Sequence, residues 1–330
     1  MTKRRFWGAI AICAAVFVVV ALAAPLIGPA HVDYGRAWAG LSPDHEILFF
    51  ARVPRVLLSI LAGGTLTLTG VLFQALLRDP LAEPFTLGIS SGSSLGAVIV
   101  ISLGWTAVAG IPAVWLAAFT GAALTLSVVL AIAFEGRRLS SFTLLLAGVS
   151  INSIAMATIL FLHNLASLSQ SFAITRWLMG GIEAVEYRVV AGIAAVVLPV
   201  CVLVFLRARD WNLLAAGEEW ASARGVAASK LLVAGYIAGS IMTGTVTAFT
   251  GPIGFIGLIV PHGLRLALGA DHRLLIPCSF LIGAAFLTVC DTLARTVLAP
   301  TEIPVGVITA MLGGPFFIWL LRSRRRSLWL

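Results

Sequence analysis

The feature that limits this chain most is its succession of apolar runs, each about long enough to cross a lipid bilayer. A helix needs roughly 20 mainly apolar residues to span the hydrocarbon core. Taken in order, the runs predict spans at 6–28, 55–77, 86–104, 112–134, 143–165, 188–206, 230–250, 253–268, 274–298 and 305–321. The 253–268 run is short and interrupted by Pro252 and Pro261. Composition agrees, because 60% of the 330 residues are hydrophobic and 11% are charged, against about 45–50% apolar and about 25% charged in soluble domains. So little polar surface cannot coat a water-soluble globule. The expected fold class is an all-α membrane protein, about ten transmembrane helices in a single domain, 1–330.

An even number of spans returns both termini to one side, and the basic residues indicate which side. With the N-terminus inside, the inner segments hold 16 of the 22 Lys and Arg residues, among them Lys3, Arg4, Arg5, Arg78, Arg137, Arg138, Arg224 and the tail Arg324-Arg325-Arg326. Only Arg36, Arg52, Arg55, Arg176, Arg188 and Arg295 fall outside. That bias predicts cytoplasmic termini. It also explains the formal net charge of +8 without a nucleic-acid partner, because the basic residues sit at the ends of apolar runs rather than along one face. Trp7, Trp105, Trp115 and Trp319 fall near span ends, as an interfacial belt requires, while Trp38, Trp177, Trp211, Trp220 and Trp329 fall in loops or the tail. The first run follows Lys3-Arg4-Arg5 like a signal peptide, but it is long enough to span and is read as a retained helix.

Catalytic signatures are scarce. The five histidines are scattered, with no HExxH, and no GxSxG elbow occurs. His163 reads as a hydrogen-bonded residue near an outer helix end. Cys13, Cys201, Cys278 and Cys290 lie in apolar runs without CxxC spacing and read as small buried side chains. The segment Gly225–Lys230 lacks the second glycine and the Lys-Ser/Thr pair of a phosphate loop, so the chain is not expected to bind ATP by itself. Ionisable residues within spans are few. Asp291 and Arg295, four apart on one helix face, read as a structural pair that neutralises itself. Gly235, Gly239, Thr243 and Thr247 recur every four residues and read as a helix-packing stripe.

Two regions look functional. The inner loop 207–229 is long for a connection. Its Gly217, Ala221 and Gly225 are spaced to lie along a short surface helix suited to a partner's groove. The segment Gly251 to His262 is a broken apolar run. Such backbone survives at membrane depth only when buried in protein or lining a cavity.

Several ordered motifs resemble the FecCD-type permeases of binding-protein-dependent ABC importers. They are Arg52-Val-Pro-Arg55, Gly70-Val-Leu-Phe-Gln74, Asp79-Pro-Leu-Ala-Glu-Pro84, Leu87-Gly-Ile-Ser-Ser-Gly92, Trp177-Leu-Met-Gly180, Gly254 through Arg265 with Asp271-His272-Arg273, Glu302-Ile-Pro-Val-Gly306, and Thr309 through Phe317. Asp79 is a departure, because the family more often has Asn there. The resemblance implies a type II ABC importer permease fold in the bacterial inner membrane, carrying iron–siderophore complexes, haem or cobalamin. It implies a second copy of the chain, two cytoplasmic ATP-binding subunits that hold the ATP-Mg, and a periplasmic substrate-binding protein; the chain itself needs no cofactor and no catalytic or metal-binding residue. By the same resemblance, Gly217, Glu218, Ala221, Arg224 and Gly225 belong to coupling helices that dock on the ATPase. Arg52, Arg55 and Arg295 would be exposed arginines that pair with the binding protein, and Ser141 and Phe142 would form a cytoplasmic gate. The alternatives are an ion-coupled carrier, opposed by the lack of mid-span carboxylates, and an intramembrane enzyme, opposed by the lack of a catalytic dyad or metal ligands.

Overall fold

The computed structural model describes residues 3–108, 110–135 and 138–324. Arg137, Arg325, Arg326 and Trp329, which enter the charge and tryptophan arguments, lie outside the described residues. The chain is helical nearly throughout. Helix α1 is Lys3–Ala23, α2 is Tyr34–Trp38, and α3 is Asp44–Glu46, which runs through a π-helical stretch, Ile47–Arg52, into α4, Val53–Leu77. Then follow α5 (Ile89–Ser102), α6 (Ala113–Ala133), α7 (Ser141–Leu165), α8 (Leu168–Leu178), α9 (Tyr187–Leu206), α10 (Ala208–Ala216) and α11 (Glu218–Ala223). The last four are α12 (Ala228–Thr250), α13 (Ile256–Leu268), α14 (His272–Thr296) and α15 (Val305–Arg324). Two antiparallel pairs of two-residue strands close the α5–α6 and α6–α7 connections.

Seven helices among the described residues are long and apolar enough to cross a membrane, and α5, α13 and α15 are shorter apolar helices. Together they make the ten expected. Pro261 lies inside α13 without ending it, so the interruption comes before the helix, at 251–255. The short helices α2, α3 and α8 fall in segments between the expected spans. Helix α8 opens with a capping box, in which the Ser167 side chain accepts from the backbone of Gln170 and the Gln170 side chain accepts from the Ser167 backbone.

Helix α4 is the axis of the bundle, with α9, α12, α13 and α14 packed around it. Of its most apolar window 89% is buried, against 11% for α1. An apolar helix so exposed needs lipid or another chain as its solvent. The axis is packed through glycine. A Cβ added at Gly63 would fall 2.3 Å from the Gly283 carbonyl oxygen of α14, and one at Gly70 would fall 2.2 Å from the Gly257 oxygen of α13. Backbones that close can meet only where side chains are absent. The stripe on α12 does the packing expected of it, since Gly239 lies under the Phe73 ring and Gly235 under Leu76 and Trp211.

The contacts define two faces. At one, the start of α1 packs against the end of α13 and the start of α14, close to where α10 meets Asp271. At the other, Arg295 near the end of α14 reaches Ala24 just past α1, and Gly306 at the start of α15 meets Gly180.

Candidate functional site

The long inner loop forms two helices rather than one. Gly217 separates α10 from α11 with φ 139°, a conformation that favours glycine, and Gly225 follows α11 with φ 83°. The spacing of Gly217, Ala221 and Gly225 therefore does not place them along a single helix. Gly217 is a corner, Ala221 is fully buried beneath α11, and Gly225 closes the turn after Arg224. Trp220 is exposed, with the Arg224 guanidinium 5.8 Å above its ring. That pair forms the exposed side of α11.

The two arms of the loop are held differently. On α10, Trp211 is buried, and its indole N–H donates to the Val204 carbonyl at 2.8 Å. Asn212 donates to Asp271 at 2.9 Å and accepts from the His272 backbone N–H at 2.9 Å and from His272 Nδ1 at 2.7 Å. Arg273 also hydrogen-bonds Asp271 and holds its carboxyl well below the usual carboxylate range. On α11, Glu218 Oε1 accepts from Arg78 Nη2 at 3.1 Å and from Ser141 Oγ at 3.4 Å. Arg78 caps α4 in the left-handed region, φ 53°. Ser141 is the first residue of α7, after the Ser140 cap, and Phe142 beside it is 74% exposed. The expected coupling and gate residues thus meet through one carboxylate oxygen. Behind them lies a cavity of about 590 Å³ lined in part by Gln74, Arg78, Asn212, Arg265 and His272.

The three outer arginines are brought together at the opposite face, but the expectation that they are exposed is wrong. Arg52 is buried and donates to the carbonyls of Pro25, Leu26 and Ala30. Arg295 is buried and donates to the Ala24 carbonyl at 2.7 Å. Arg55, with a side chain 14% exposed, bridges Asp291 at 3.0 Å and Glu302 at 2.9 Å. The expected Asp291–Arg295 pair forms, but it is not self-contained. Arg295 Nε lies 3.9 Å from Asp291, while Arg55 grips the same carboxylate through two nitrogens, so the dominant partner comes from α4. Of the three arginines, Arg55 alone lines the second cavity, about 670 Å³, together with Trp115, Arg176, Trp177, Glu183 and Glu302. At the same face His163 bonds Ser171 at 2.9 Å and Thr175 at 3.2 Å, as a helix-end histidine should.

The broken segment begins buried, and hydrogen bonds hold both of its ends. Gly251, Pro252 and Ile253 are inaccessible, Gly181 N–H donates to the Thr250 carbonyl at 2.8 Å, and Phe255 N–H donates to the Glu83 carboxylate at 3.3 Å. Phe255 has φ 69°, strain that a non-glycine residue tolerates only when its surroundings fix it. Sequence reasoning missed Glu83. The residue lies inside the Asp79–Pro84 motif, and a carboxylate in a short polar loop gives no sign of reaching a helix start 172 residues away. All four cysteines are buried and unpaired, and no cluster of metal-ligating side chains occurs among the described residues.

Comparison with known proteins gives consistent matches over most of the chain. The profile of the FecCD transport family matches residues 14–323. The hemin transport system permease protein HmuU of Yersinia pestis is 35% identical over 314 residues, 94% of each chain. The vitamin B12 import system permease protein BtuC of Klebsiella pneumoniae is 41% identical over 280 residues, 84% of this chain and 82% of that one. Among solved structures, a protein assigned as a metal-chelate type ABC transporter, in an inward-facing conformation, superposes with a TM-score of 0.83 at 26% identity, covering 96% of this chain and 99% of its own.

Proposed function

Because the chain belongs to the FecCD transport family, we propose that it is the transmembrane subunit of an ABC importer for a metal chelate or cobalamin, driven by a separate ATPase. Iron–siderophore complexes, haem and cobalamin are the candidate cargoes. The working unit is two copies of this chain in the bacterial inner membrane, with both termini cytoplasmic, two ATP-binding subunits inside and a substrate-binding protein outside. The observation that carries this reading is the coupling face: a two-helix loop with a glycine corner presents Trp220 and Arg224 outward and touches the start of α7 inward. The sequence supplies no phosphate loop of its own, so energy comes from a partner that this loop engages.

Within this reading the outer arginines divide their work. Arg55 faces the cavity and meets acidic residues of the binding protein in competition with Glu302, while Arg52 and Arg295 brace the frame that holds it. Electrostatic pairing of this kind steers and registers a partner more than it adds affinity. The exposed rows of α7 (Leu146, Val149, Ile154 and Phe161) and of α15 (Met311 and Ile318) are the surfaces for the second copy and for lipid. Ser141 and Phe142 of the two copies close the inner exit. Copurification tests the proposal. A tagged chain expressed with its cell's full complement retains an ATP-binding subunit, and a Trp220→Ala, Arg224→Ala variant loses it. Recovery of a pure, ATPase-free chain that takes up cargo without nucleotide would refute it.

A further inference from the structure

We propose that the corner where the starts of α1 and α14 meet the end of α13 holds the headgroup of an anionic phospholipid, and that this lipid fastens α1 to the bundle. The proposal rests on the chain's place in a membrane and not on the importer reading above.

Helix α1 meets the bundle along a seam. Phe6 and Cys13 pack among Leu264 and Leu268 of α13 and Leu274 and Cys278 of α14. Farther along, Arg295 of α14 reaches Ala24, so α1 and α14 run side by side in the same direction. The outer end is tied by hydrogen bonds, because the carbonyls of Ala24, Pro25 and Leu26 accept from Arg295 and Arg52. The inner end is held by apolar contact. Most of the helix is otherwise bare, with 11% of its most apolar window buried.

Each helix at that corner places an arginine beside the apolar cluster. Arg5 precedes Phe6, Arg265 follows Leu264, and Arg273 precedes Leu274. Arg273 spends Nε and Nη2 on Asp271. Arg4 and Arg5 are exposed and make no ion pair among the described residues. They are left for an outside anion, and a phosphate suits the paired N–H donors of arginine. Basic pockets between membrane helices on the cytoplasmic side bind acidic headgroups, and the charge bias puts this corner on that side. A free phosphate would meet the charge and nothing else. The face of α1 beyond Arg5 points to a lipid. Ile12, Val16 and Val19 follow Arg5 by seven, eleven and fourteen residues. At 3.6 residues per turn all four share one face, about a quarter-turn from Phe6 and Cys13. The three apolar residues are exposed. Trp7 is exposed too, edge-on to Phe6 with 5.6 Å between ring centroids, as indole rings sit among headgroups. A molecule with a phosphate at the corner and acyl chains along that face meets both the charge and the apolar track.

The test uses the full chain with its copurifying subunits, stripped of lipid in detergent and titrated with phosphatidylglycerol, phosphatidylcholine or inorganic phosphate. Native mass spectrometry counts bound lipid. Maleimide labelling of Cys13, buried in the seam, reports whether α1 stays seated. Phosphatidylglycerol binds more tightly than phosphatidylcholine and slows the labelling. Each basic residue near an acidic membrane surface contributes roughly fivefold. Arg5→Gln therefore weakens phosphatidylglycerol binding about fivefold, and Arg4→Gln with Arg5→Gln weakens it about 25-fold and removes the protection of Cys13. Lys230→Gln, which removes an exposed charge at the start of α12, changes neither. Equal binding of the two lipids, unaltered affinity in the double variant, a loss in Lys230→Gln as large as in Arg5→Gln, or Cys13 labelling indifferent to lipid overturns the proposal. So does displacement of the lipid by millimolar inorganic phosphate, which marks a soluble anion's site, or an acidic protein found on the corner in the lipid's place.

Discussion

Replacing Asp291 by Asn removes one charge from a buried cluster and changes little else in shape. Asp291 is fully buried, with Arg55 at 3.0 Å and Arg295 at 3.9 Å. Without the carboxylate, the Arg295 guanidinium, 3% exposed, loses its counter-charge, and Arg55, 14% exposed, is left with the 45% exposed Glu302 carboxylate. Removing one partner of a buried pair typically costs about 3–5 kcal/mol. Asn keeps one acceptor for Arg55, so the lower end, about 3 kcal/mol, applies. Unfolding entropy of about 2.1 cal/mol/K per residue gives roughly 0.7 kcal/mol/K for 330 residues, and hence a fall in Tm of about 4 °C. The protein carries its own probe, because its four free cysteines are buried and react with a thiol dye only as the bundle opens. Glu302→Gln serves as the control. Its carboxylate is 45% exposed, so the loss is under about 1 kcal/mol and the shift near 1 °C. An Asp291→Asn protein that melts within 1 °C of the unmodified one, or no earlier than Glu302→Gln, would refute the view that this carboxylate neutralises the frame.

Other outcomes follow from the same geometry. Gly70→Ala drives a methyl group into the α13 backbone and destabilises by about 1–3 kcal/mol, with overpacking as the cause; dye-monitored melting reads it, and Gly8→Ala, with open space around it, shifts nothing. Replacing Gly217 and Gly225 with bulky residues forces strained backbone at φ 139° and 83° and leaves ATP hydrolysis no longer matched to uptake, as measured in vesicles holding both. Asp271 has a depressed folded pKa, so its stabilisation is complete above the ordinary carboxylate range and is lost as pH falls through the lower folded value; pH-dependent melting should show a smaller acid-side loss in Asp271→Asn. Arg55→Glu weakens binding-protein association and flattens its salt dependence, whereas Arg188→Glu leaves both near their starting values.

The number and order of the spans were legible because hydropathy reports directly on what a bilayer accepts. The helix-packing stripe of α12 was legible for a similar reason, since small residues at four-residue spacing leave one meaning in lipid. The arginines were not. Nothing near Arg55 in the sequence indicates that Glu302, 247 residues away, folds onto it, so a row of outer cations looks solvated until its partners arrive. Trp211 was equally opaque: the sequence places it in a loop, while the glycine that receives its buried ring lies on another helix. The small-residue spacing of the inner loop was correct as a pattern but wrong as geometry, because Gly217 ends one helix instead of continuing it.

Three helices meet here with no side chains to cushion them, at Gly63 on Gly283 and at Gly70 on Gly257. A joint of that kind has no rotamers to trade, so a sub-ångström slip would already drive one peptide group into another. The trio α4, α13 and α14 can therefore tilt only as a keel. Any relative movement of helices is left to those that meet through side chains rather than backbone to backbone.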